Sequence, residues 1–562
     1  MGGIDVVHPF LLIAIPALIL LHVVVAPYTK VEESFHIQAI HDILSHGIPT
    51  HNVTATLKAQ YDHFTFPGAV PRTFVGALIL STLSRPFIWV NENVDKQFLA
   101  RMILGLSNAL ALLSFASGLR RAFGKSTAVW YLFFQASQFH TMYYASRTLS
   151  NMFAFGMSTL ALRLILPEPL APEVSRKRCR AALCLLTIAG IIYRSELALF
   201  LGTNTLFLLF KGRVSIIGDI IPSGIAGVLI GLGLTVSVDS FFWQRFPLWP
   251  ELAAFKFNVI HGQASAWGTH PWYFYFANAI PRLLLNPLTY LVGMPLALVQ
   301  PSTRPAATYL LIPSLAFVSI FSFQPHKEWR FVIYVIPVLT AVSALGASYI
   351  WSHRAKSLIY RILSLAMVAS TVASFLCSTF VLLPASSANY PGAHALNTLH
   401  GHADNTKPAI SVYLGNLACQ TGVTRFLQLP SAVDASIGDG VSTAWSYDKT
   451  ENQDLKLSPS FWDQFDYVIV EPGEGETVLS VSKAQGAHWV DMEVIEGFSG
   501  VRFLRPGDAA VGTVERRVLG NFIGPWSVQL WETSRDLVRR TFTRGWWAEL
   551  RMEPKLKIMQ RV

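Results

Sequence analysis

The chain has 562 residues, of which 52% are hydrophobic and only 14% are charged, whereas ordinary soluble domains carry about 25% charged residues. This composition excludes a soluble multidomain protein. The formal charge of +10 is interpreted as basic loops between apolar runs, not as a nucleic-acid surface. The four cysteines are scattered without a CxxC pair, so they predict neither a metal site nor a disulfide framework.

Apolar runs long enough to cross about 30 Å of hydrocarbon, roughly 20 residues each, recur through the first two-thirds of the chain. Short basic loops between them are typical of the cytosolic side and place three sizeable loops, with everything after residue 384, on the other side. Those loops are 27–98, 239–282 and 323–330. The stretch 73–90 is predicted to lie on or dip into the membrane. The predicted spans are 8–26, 99–118, 127–146, 150–167, 181–193, 195–211, 215–236, 283–300, 306–323, 330–351 and 360–384.

After residue 384 the long apolar runs give way to short ones separated by turn residues. Strand-like runs at 409–414 and 465–470 predict a small α/β domain over residues 385–505. In the tail, 506–562, four tryptophans alternate with arginines, which is typical of an amphipathic helix at a membrane surface. A helix packed on the α/β domain would produce the same pattern. The chain is thus predicted to be a polytopic α-helical membrane protein over 1–384, followed by these two smaller parts.

The first group of ionisable residues, Lys30-Val-Glu-Glu-Ser-Phe-His36, directly follows the first predicted span. On a helix, Glu32 and His36 lie four residues apart on one face, and Glu33 is three residues from His36. A partly desolvated carboxylate at the membrane edge suits the removal of a proton from a sugar hydroxyl, because burial raises its pKa. The same acidic residues would also suit the positive end of an ordinary solvated helix.

The second group is His326-Lys-Glu-Trp-Arg-Phe331, which lies between two predicted spans. Several ionisable residues at the start of an apolar helix are costly unless they bind something. Lys327 and Arg330 suit a phosphate, Arg330 through a bidentate contact, and Glu328 is predicted to be an internal partner that fixes this pair. The alternative is an interfacial anchor in which the long basic side chains extend toward the headgroups.

Further polar and aromatic residues occur at span ends and in the outer loops. Arg147 precedes a predicted span, and Glu196 lies where a helix is predicted to break. Aromatic, Asp and His side chains suit the faces and hydroxyls of sugars, although Trp and Tyr are also common at membrane interfaces. The candidate substrate-binding residues are His36, Asp62, His63, Glu196, Trp249, His270 and Trp272.

The sequence indicates neither a nucleotide-sugar site nor a metal site. It contains no HExxH motif, no P-loop and no GxGxxG in a usable context. A sugar carried on a lipid phosphate would need only a phosphate-binding group at the membrane edge and a base opposite it. A transporter of an anionic solute is an alternative, but the sequence lacks the internal repeat that such transporters often show.

The motif 326–331 resembles the HKExRF signature of the endoplasmic-reticulum mannosyltransferases that use dolichyl-phosphate mannose, in glycosyltransferase family 22. Within that family, further segments resemble the members that transfer mannose in α-1,6 linkage to a lipid-linked heptamannosyl oligosaccharide. Sister enzymes usually carry Asp-Glu where this chain has Glu32-Glu33. The resemblance covers most of residues 20–350, where it rests on segments 27–35, 61–68, 71–73, 137–140 and 147–151, and it extends to 413–416 and 420–425 in the C-terminal domain.

The resemblance implies a GT-C fold with a lumenal C-terminal domain, in the endoplasmic-reticulum membrane, with a lumenal active site. It implies an inverting displacement in which Glu33 or Glu32 deprotonates the acceptor's 6-hydroxyl and dolichyl phosphate leaves. The leaving phosphate would be stabilised by His326, Lys327, Arg330 and Arg147.

The implied donor is dolichyl-phosphate mannose, and the implied acceptor is a lipid-linked oligosaccharide. Membrane lipids surround the chain, and we expect no metal, no cofactor, no nucleic acid and no obligate protein partner. A sister mannosyltransferase, making an α-1,2 linkage or acting on the GPI anchor, is the alternative within the family.

Overall fold

The structure is a computed structural model that describes residues 2–403, 407–430, 443–483 and 488–562. Its contacts divide the chain into two compact units. The first contains Met1–Val24 and Phe35–Phe380, and the second contains Val25–Ser34 and Val381–Val562. The boundary near residue 380 lies close to the predicted end of the membrane module. The sequence did not predict that the short segment Val25–Ser34 would belong to the C-terminal unit.

The membrane module is built from helices, because a chain in hydrocarbon must satisfy its backbone hydrogen bonds internally. Among the described residues, six helices are long and apolar enough to cross a membrane: His8–Val25, Lys96–Phe123, Ile216–Trp243, Arg304–Phe321, Trp329–His353 and Leu358–Ser387. The other helices of the module include Val31–His46, Val53–Gln60, Asp62–Thr65, Val75–Val90, Lys125–Ser137, Phe139–Tyr144, Ser150–Ile165, Pro172–Ile192, Leu197–Phe210, Pro250–Phe255, Tyr275–Leu284 and Thr289–Val299.

Each predicted span corresponds to helical structure, but two of them are not single helices. The span predicted over 127–146 is divided at Gln138, which is extended, into helices Lys125–Ser137 and Phe139–Tyr144. The span predicted over 283–300 is wrong as a single helix, because Tyr275–Leu284 and Thr289–Val299 meet at an angle of 115°. Leu285 has a φ of 60° at this break, and Pro287 cannot donate a helical hydrogen bond. The predicted break near residues 193–196 is confirmed, since one helix ends at Ile192 and the next begins at Leu197.

The spanning helices differ in how much of their surface other helices cover. Trp329–His353 is almost entirely buried, whereas Ile216–Trp243 and Leu358–Ser387 leave most of their apolar surface exposed. The first is therefore central in the unit, and the other two present apolar surface suited to lipid. The motif 326–331 directly precedes and enters this central helix. The stretch 73–90 forms the 16-residue helix Val75–Val90, and its placement relative to the membrane stays a prediction.

The C-terminal unit contains a five-stranded sheet, and the predicted strand at 409–414 is confirmed. The strands are β1 Ala409–Leu414, β2 Ala444–Asp448, β3 Tyr467–Val470, β4 Trp489–Leu504 and β5 Trp547–Arg561, in the spatial order β2-β1-β3-β5-β4. β1 runs parallel to β2, with Ala409 opposite Ala444, and parallel to β3, with Val412 opposite Tyr467. β5 runs antiparallel to both β3 and β4.

Helices cover both faces of this sheet. Ile410 and Val412 of β1 pack with Leu396 and Leu399 of one helix, while Tyr413 faces Trp462 on the opposite side. The alternation follows from the two-residue period of a strand. Beyond the end of the helix Leu358–Ser387, the described helices of this unit include Pro391–His402, Asn416–Gln420, Gln453–Lys456, Pro459–Trp462, Pro472–Lys483, Thr513–Phe522 and Pro525–Thr541.

The tail is part of this unit. Helices Thr513–Phe522 and Pro525–Thr541 lie between β4 and β5 in the chain, and β5 then enters the sheet between β3 and β4. The α/β unit therefore continues to residue 562, past the boundary predicted at residue 505, because the last strand supplies the antiparallel partner of two others. Trp526, Leu530 and Leu537 are exposed on the second helix. Its placement at a membrane surface stays a prediction.

Candidate active site

The two glutamates of the first charged group occupy different environments at the start of helix Val31–His46. Glu33 is 3% exposed, and its Oε1 accepts a hydrogen bond from the backbone N–H of Lys30 at 3.1 Å. A glutamate in the first turn that reaches back to the N-cap N–H is one half of a capping box. Glu32 is exposed. The fold therefore bonds one carboxylate to the start of the helix and leaves the other exposed.

His36 follows one turn later and is fully buried. Its ring packs against Phe153, with the ring centroids 5.0 Å apart, and edge-on against Phe35. Burial, with a smaller contribution from nearby Arg72, lowers the pKa of His36 to about 3, so the imidazole is neutral at physiological pH. This buried ring stabilises the packing of the helix, and its predicted contact with substrate stays a prediction.

In the second charged group, Glu328 is the partner of Arg330. Arg330 Nη2 donates to Glu328 Oε1 at 2.7 Å, and its Nε lies 2.7 Å from Oε2. His326 Nε2 is 3.1 Å from the same carboxylate. Although burial favours the protonated form, the Arg330 and His326 charges and hydrogen bonds hold the pKa of Glu328 below its usual value. The carboxylate thus fixes the guanidinium, as the sequence predicted for Arg330.

Lys327 makes different contacts from its two basic neighbours. It is 3% exposed, and its Nζ donates to the backbone carbonyls of His270 at 2.8 Å and Gln324 at 2.5 Å. His326 Nδ1 lies 2.9 Å from the carbonyl of Gly268, and the His270 N–H donates to Pro325 at 3.1 Å. These contacts fix the loop at 268–270 against the motif 326–331. The structure thus brings His270, predicted to bind substrate, next to the motif predicted to bind the phosphate.

A second polar cluster lies at the helix break. Glu196 Oε1 accepts hydrogen bonds from Asn151 at 3.0 Å, from Arg194 at 2.8 Å and from the hydroxyl of Tyr334 at 3.2 Å. Asn151 also donates to the backbone carbonyl of Arg330 at 3.3 Å, which joins this cluster to the motif 326–331. The sequence missed Tyr334, because it lies among the apolar residues of the predicted span 330–351 and nothing distinguishes it from other hydroxyl-bearing residues there, such as Thr340 and Ser343.

The outer loop at 239–282 also reaches this break. Glu251 Oε2 accepts the backbone N–H of Ser195 at 2.7 Å, and Trp249 Nε1 donates to the carbonyl of Ile191 at 2.9 Å. Burial raises the pKa of Glu251 to about 7, against the opposing effect of Arg194. Trp249 and Glu251 therefore support the geometry of residues 194–196, an arrangement that the sequence did not predict.

The remaining candidate residues vary in exposure. Arg147 is 1% exposed; its Nη2 donates to the hydroxyl of Tyr143 at 2.5 Å, and its guanidinium carbon lies 4.3 Å from the centroid of that ring. Trp272 is 68% exposed, and the His270 ring stacks on Phe274 at 4.2 Å. An exposed indole can bind a sugar face, whereas the Arg147 guanidinium is suited to buried polar contacts.

Asp62 and His63 take part in the packing of the first outer loop. The backbone N–H of Asp62 donates to Asp42 Oδ2 at 2.8 Å. His63 is buried, and its Nε2 lies 2.9 Å from the carbonyl of Phe242, with Trp243 edge-on to the ring. Burial lowers the pKa of His63. Both residues therefore hold this loop together, and a substrate contact for either stays a prediction.

One group of side chains among the described residues comes close enough to share a metal ion. Ligand atoms of His41, Asp42 and His46 lie within 4.8 Å of one another. The Asp42 carboxylate already contacts His41 Nδ1 at 3.0 Å through Oδ1 and the Asp62 N–H through Oδ2. These contacts account for both oxygens without an ion. The expectation of a metal-independent enzyme stays a prediction.

Comparison with known proteins gives the sequence relatives of the chain. It is 37% identical over 435 residues to a Drosophila melanogaster protein named Dol-P-Man:Man(7)GlcNAc(2)-PP-Dol alpha-1,6-mannosyltransferase, and the match covers 76% of this chain but 58% of the relative. It is 32% identical over 511 residues to the Saccharomyces cerevisiae protein of the same name, covering 85% of this chain and 86% of the relative.

Among solved structures, the chain is similar to ArnT from Cupriavidus metallidurans bound to undecaprenyl phosphate. The TM-score is 0.55 at 14% identity, covering 88% of this chain and 96% of that chain. This similarity confirms the predicted GT-C fold. The sequence model of the Alg9-like mannosyltransferase family matches residues 10–428, which is most of the chain. The chain therefore belongs to the Alg9-like mannosyltransferase family.

Proposed function

We propose that the protein transfers mannose from dolichyl-phosphate mannose to Man7GlcNAc2-PP-dolichol, in α-1,6 linkage. The observation that carries this proposal is the 32–37% identity, over 73% or more of the chain, to four relatives that bear this activity in their names. A GPI mannosyltransferase from Homo sapiens is 25% identical over only 47% of the chain, which favours the α-1,6 reaction over the sister activity. We place the enzyme in the endoplasmic-reticulum membrane, with its active site on the lumenal side.

We propose that the reaction is a single displacement with inversion at the anomeric carbon. The acceptor's 6-hydroxyl loses its proton to a carboxylate and forms a bond to C1 of the donor mannose, while the bond from C1 to the phosphate oxygen breaks. The electron pair of that bond leaves with dolichyl phosphate. The enzyme must therefore supply one base and a positive environment for the phosphate.

Glu32 is our candidate for the base. Its carboxylate is exposed at the start of the helix, whereas one oxygen of Glu33 is held by the N–H of Lys30. A base must be able to approach the substrate hydroxyl, and Glu32 is the more accessible of the two. Glu33 would then fix the helix start and the direction in which Glu32 points.

We assign the phosphate to the motif 326–331 together with Arg147. The Glu328–Arg330 pair fixes a guanidinium that can contact two phosphate oxygens, and His326 shares the same carboxylate. Lys327 would act mainly by its charge, because its ammonium group already donates to two carbonyls. The positive charges would stabilise the phosphate most strongly as the C1–O bond breaks.

For substrate binding, we propose a direct contact for the exposed ring of Trp272. The other candidate residues act through position: Glu196 and Trp249 at the helix break, His270 beside the motif, and His36, Asp62 and His63 in the packing of the first outer loop. We further propose that catalysis needs no metal. A chelator should therefore leave the rate unchanged.

The test is a reconstituted assay with the purified full chain, dolichyl-phosphate mannose and Man7GlcNAc2-PP-dolichol. The product should gain one mannose that a specific α-1,6-mannosidase removes. The matched control replaces the acceptor with a GPI precursor. A product that resists this digestion, transfer only to the GPI precursor, or no transfer at all would overturn the proposal.

A further inference from the structure

The segment that carries both candidate glutamates packs with the C-terminal unit. Val25–Ser34 belongs by its contacts to the same compact unit as Val381–Val562, although it lies more than 340 residues earlier in the chain. It ends within the first turn of helix Val31–His46, directly after Glu33. The C-terminal unit therefore contacts the chain immediately before the proposed base.

Tyr28 contacts Tyr390 and the helix Pro391–His402 that follows it. Asn397 Nδ2 donates to the Tyr28 hydroxyl at 2.8 Å. The ring of His394 stands edge-on to Tyr28 with centroids 5.3 Å apart, and the Tyr390 ring lies at 6.2 Å. Positions 390, 394 and 397 are spaced by four and three residues, so they share one face at the start of helix Pro391–His402. That face receives Tyr28.

Lys30 provides a second contact closer to the glutamates. Its Nζ lies 5.1 Å from the centroid of the Tyr390 ring, within cation–π distance. Its backbone N–H donates to Glu33, and its carbonyl accepts the N–H of Glu33 at 3.0 Å. The helix start that orients Glu32 is thereby bonded to a residue that contacts the C-terminal unit.

Helix Pro391–His402 is itself firmly held. Its opposite face, with Leu396 and Leu399, is buried against β1. At its start, the N–H of Gly392 donates to Thr421 Oγ1 at 3.0 Å and the N–H of Ala393 donates to the Thr421 carbonyl at 3.2 Å. The surface that receives Tyr28 is therefore tied to the core of the sheet.

Gly422 also packs closely against Tyr28 and the start of helix Pro391–His402. It has a φ of +116°, and a Cβ at this position would lie 2.7 Å from Ala393 Cβ and 3.3 Å from Tyr28 Cβ. A side chain would be strained at this φ and would push apart the helix and the segment. Gly422 lies in 420–425, one of the segments that carry the family resemblance. The resemblance assigned this segment no role.

We propose that the C-terminal unit positions the catalytic carboxylate. It does so through the contacts that helix Pro391–His402 and the Thr421–Gly422 turn make with Tyr28. Tyr28 and Asn397 are then positioning residues. This inference rests on the proposed function in that it takes Glu32 as the base. A base held in place avoids the entropy cost of aligning it in each turnover, so loosening the segment should lower kcat more than it raises KM.

The experiment compares Asn397→Ala and Tyr28→Phe in the full chain, since each removes the same hydrogen bond and Asn397 is exposed. We expect kcat to fall about fivefold in each, with KM for either substrate within about twofold. The double variant should be no slower than the slower single one, because both remove one interaction. Asn521→Ala, the same substitution at another exposed position of this unit, is the matched control.

Hydrogen exchange supplies a readout that does not depend on activity. In Asn397→Ala, amides in Val25–Ser34 should exchange faster while those of β1 are unchanged. Unchanged exchange in the segment, or an equal loss of kcat in the control, would overturn the inference. If the wild-type chain transfers no mannose, the proposed function fails, and the exchange result alone then decides whether the C-terminal unit holds the segment.

Discussion

The two units place their charged side chains in contrasting environments. In the membrane unit, Glu196 is buried and one of its oxygens accepts hydrogen bonds from three side chains. In the C-terminal unit, Lys557 and Asp491 form an ion pair of 2.8 Å on the surface, with side chains 27% and 45% exposed. Water screens the exposed ion pair but not the buried Glu196. Removing one partner should therefore cost much more free energy of unfolding at Glu196 than at the exposed pair.

Because of this difference, different kinds of contact indicate the important residues in the two units. Within the membrane unit, buried charges need polar or charged partners, so they mark polar clusters. One such cluster lies around the motif 326–331, and others lie at Glu168 and Asp219. In the C-terminal unit, charges are mostly surface features. There, the close approach of Gly422 to Tyr28 is more informative than any ion pair, because it records contact between distant parts of the chain.

The largest expected effect concerns Glu32, which lies in the segment Val25–Ser34 of the C-terminal unit. Glu32→Gln should lower kcat about a thousandfold or more, because it removes the proposed base. Glu33→Gln should stay within about tenfold of wild type, since glutamine can make the same capping hydrogen bond to Lys30. Initial rates of mannose transfer measure both. The reverse order would make Glu33 the base, and full activity in both would remove these carboxylates from the chemistry.

The next largest effect is expected at the buried Glu196 cluster of the membrane unit. Glu196→Ala leaves Arg194 and Asn151 without a shared acceptor and should cost about 2–4 kcal/mol of stability. Thermal denaturation in detergent measures the loss. Glu196→Gln is the control, because its amide oxygen can still accept from Asn151, and it should lose less. Equal midpoints for wild type and Glu196→Ala would contradict the role of this cluster.

A pH dependence should arise from Glu251, whose pKa is raised by burial from its ordinary 4.5 to about 7. Between these values the folded state holds a proton that the unfolded state releases, so stability falls as pH rises through this window, by at most about 3 kcal/mol. Denaturation midpoints from pH 5 to pH 8 measure the slope. Glu251→Gln should flatten it, and an equally steep curve in that variant would assign the slope to another group.

The smallest effect is expected at the surface of the C-terminal unit. Lys557→Ala removes the exposed pair with Asp491 and should change stability by less than about 1 kcal/mol, with an effect that shrinks further at high salt. Denaturation midpoints at low and high ionic strength measure this. A loss as large as that of Glu196→Ala would abolish the contrast between the two units.

The sequence by itself determined the fold class, most of the helices and which charged groups are candidates for the site. Runs of about 20 apolar residues have only one stable form in hydrocarbon, so spans such as 8–26 and 330–351 follow from composition. The motif 326–331 was recognisable because four ionisable residues are rarely found at the start of an apolar helix. The family resemblance then named the reaction that these groups suit.

Only the tertiary structure decided how these parts are supported. Glu32 and Glu33 are adjacent in sequence, and only the folded helix start shows that one is exposed and the other bonded to Lys30. The contacts of Tyr28 with helix Pro391–His402 and with the turn at Gly422 join residues that lie more than 350 positions apart. Local patterns report periodicity and charge along one element, whereas such contacts depend on how the elements pack together.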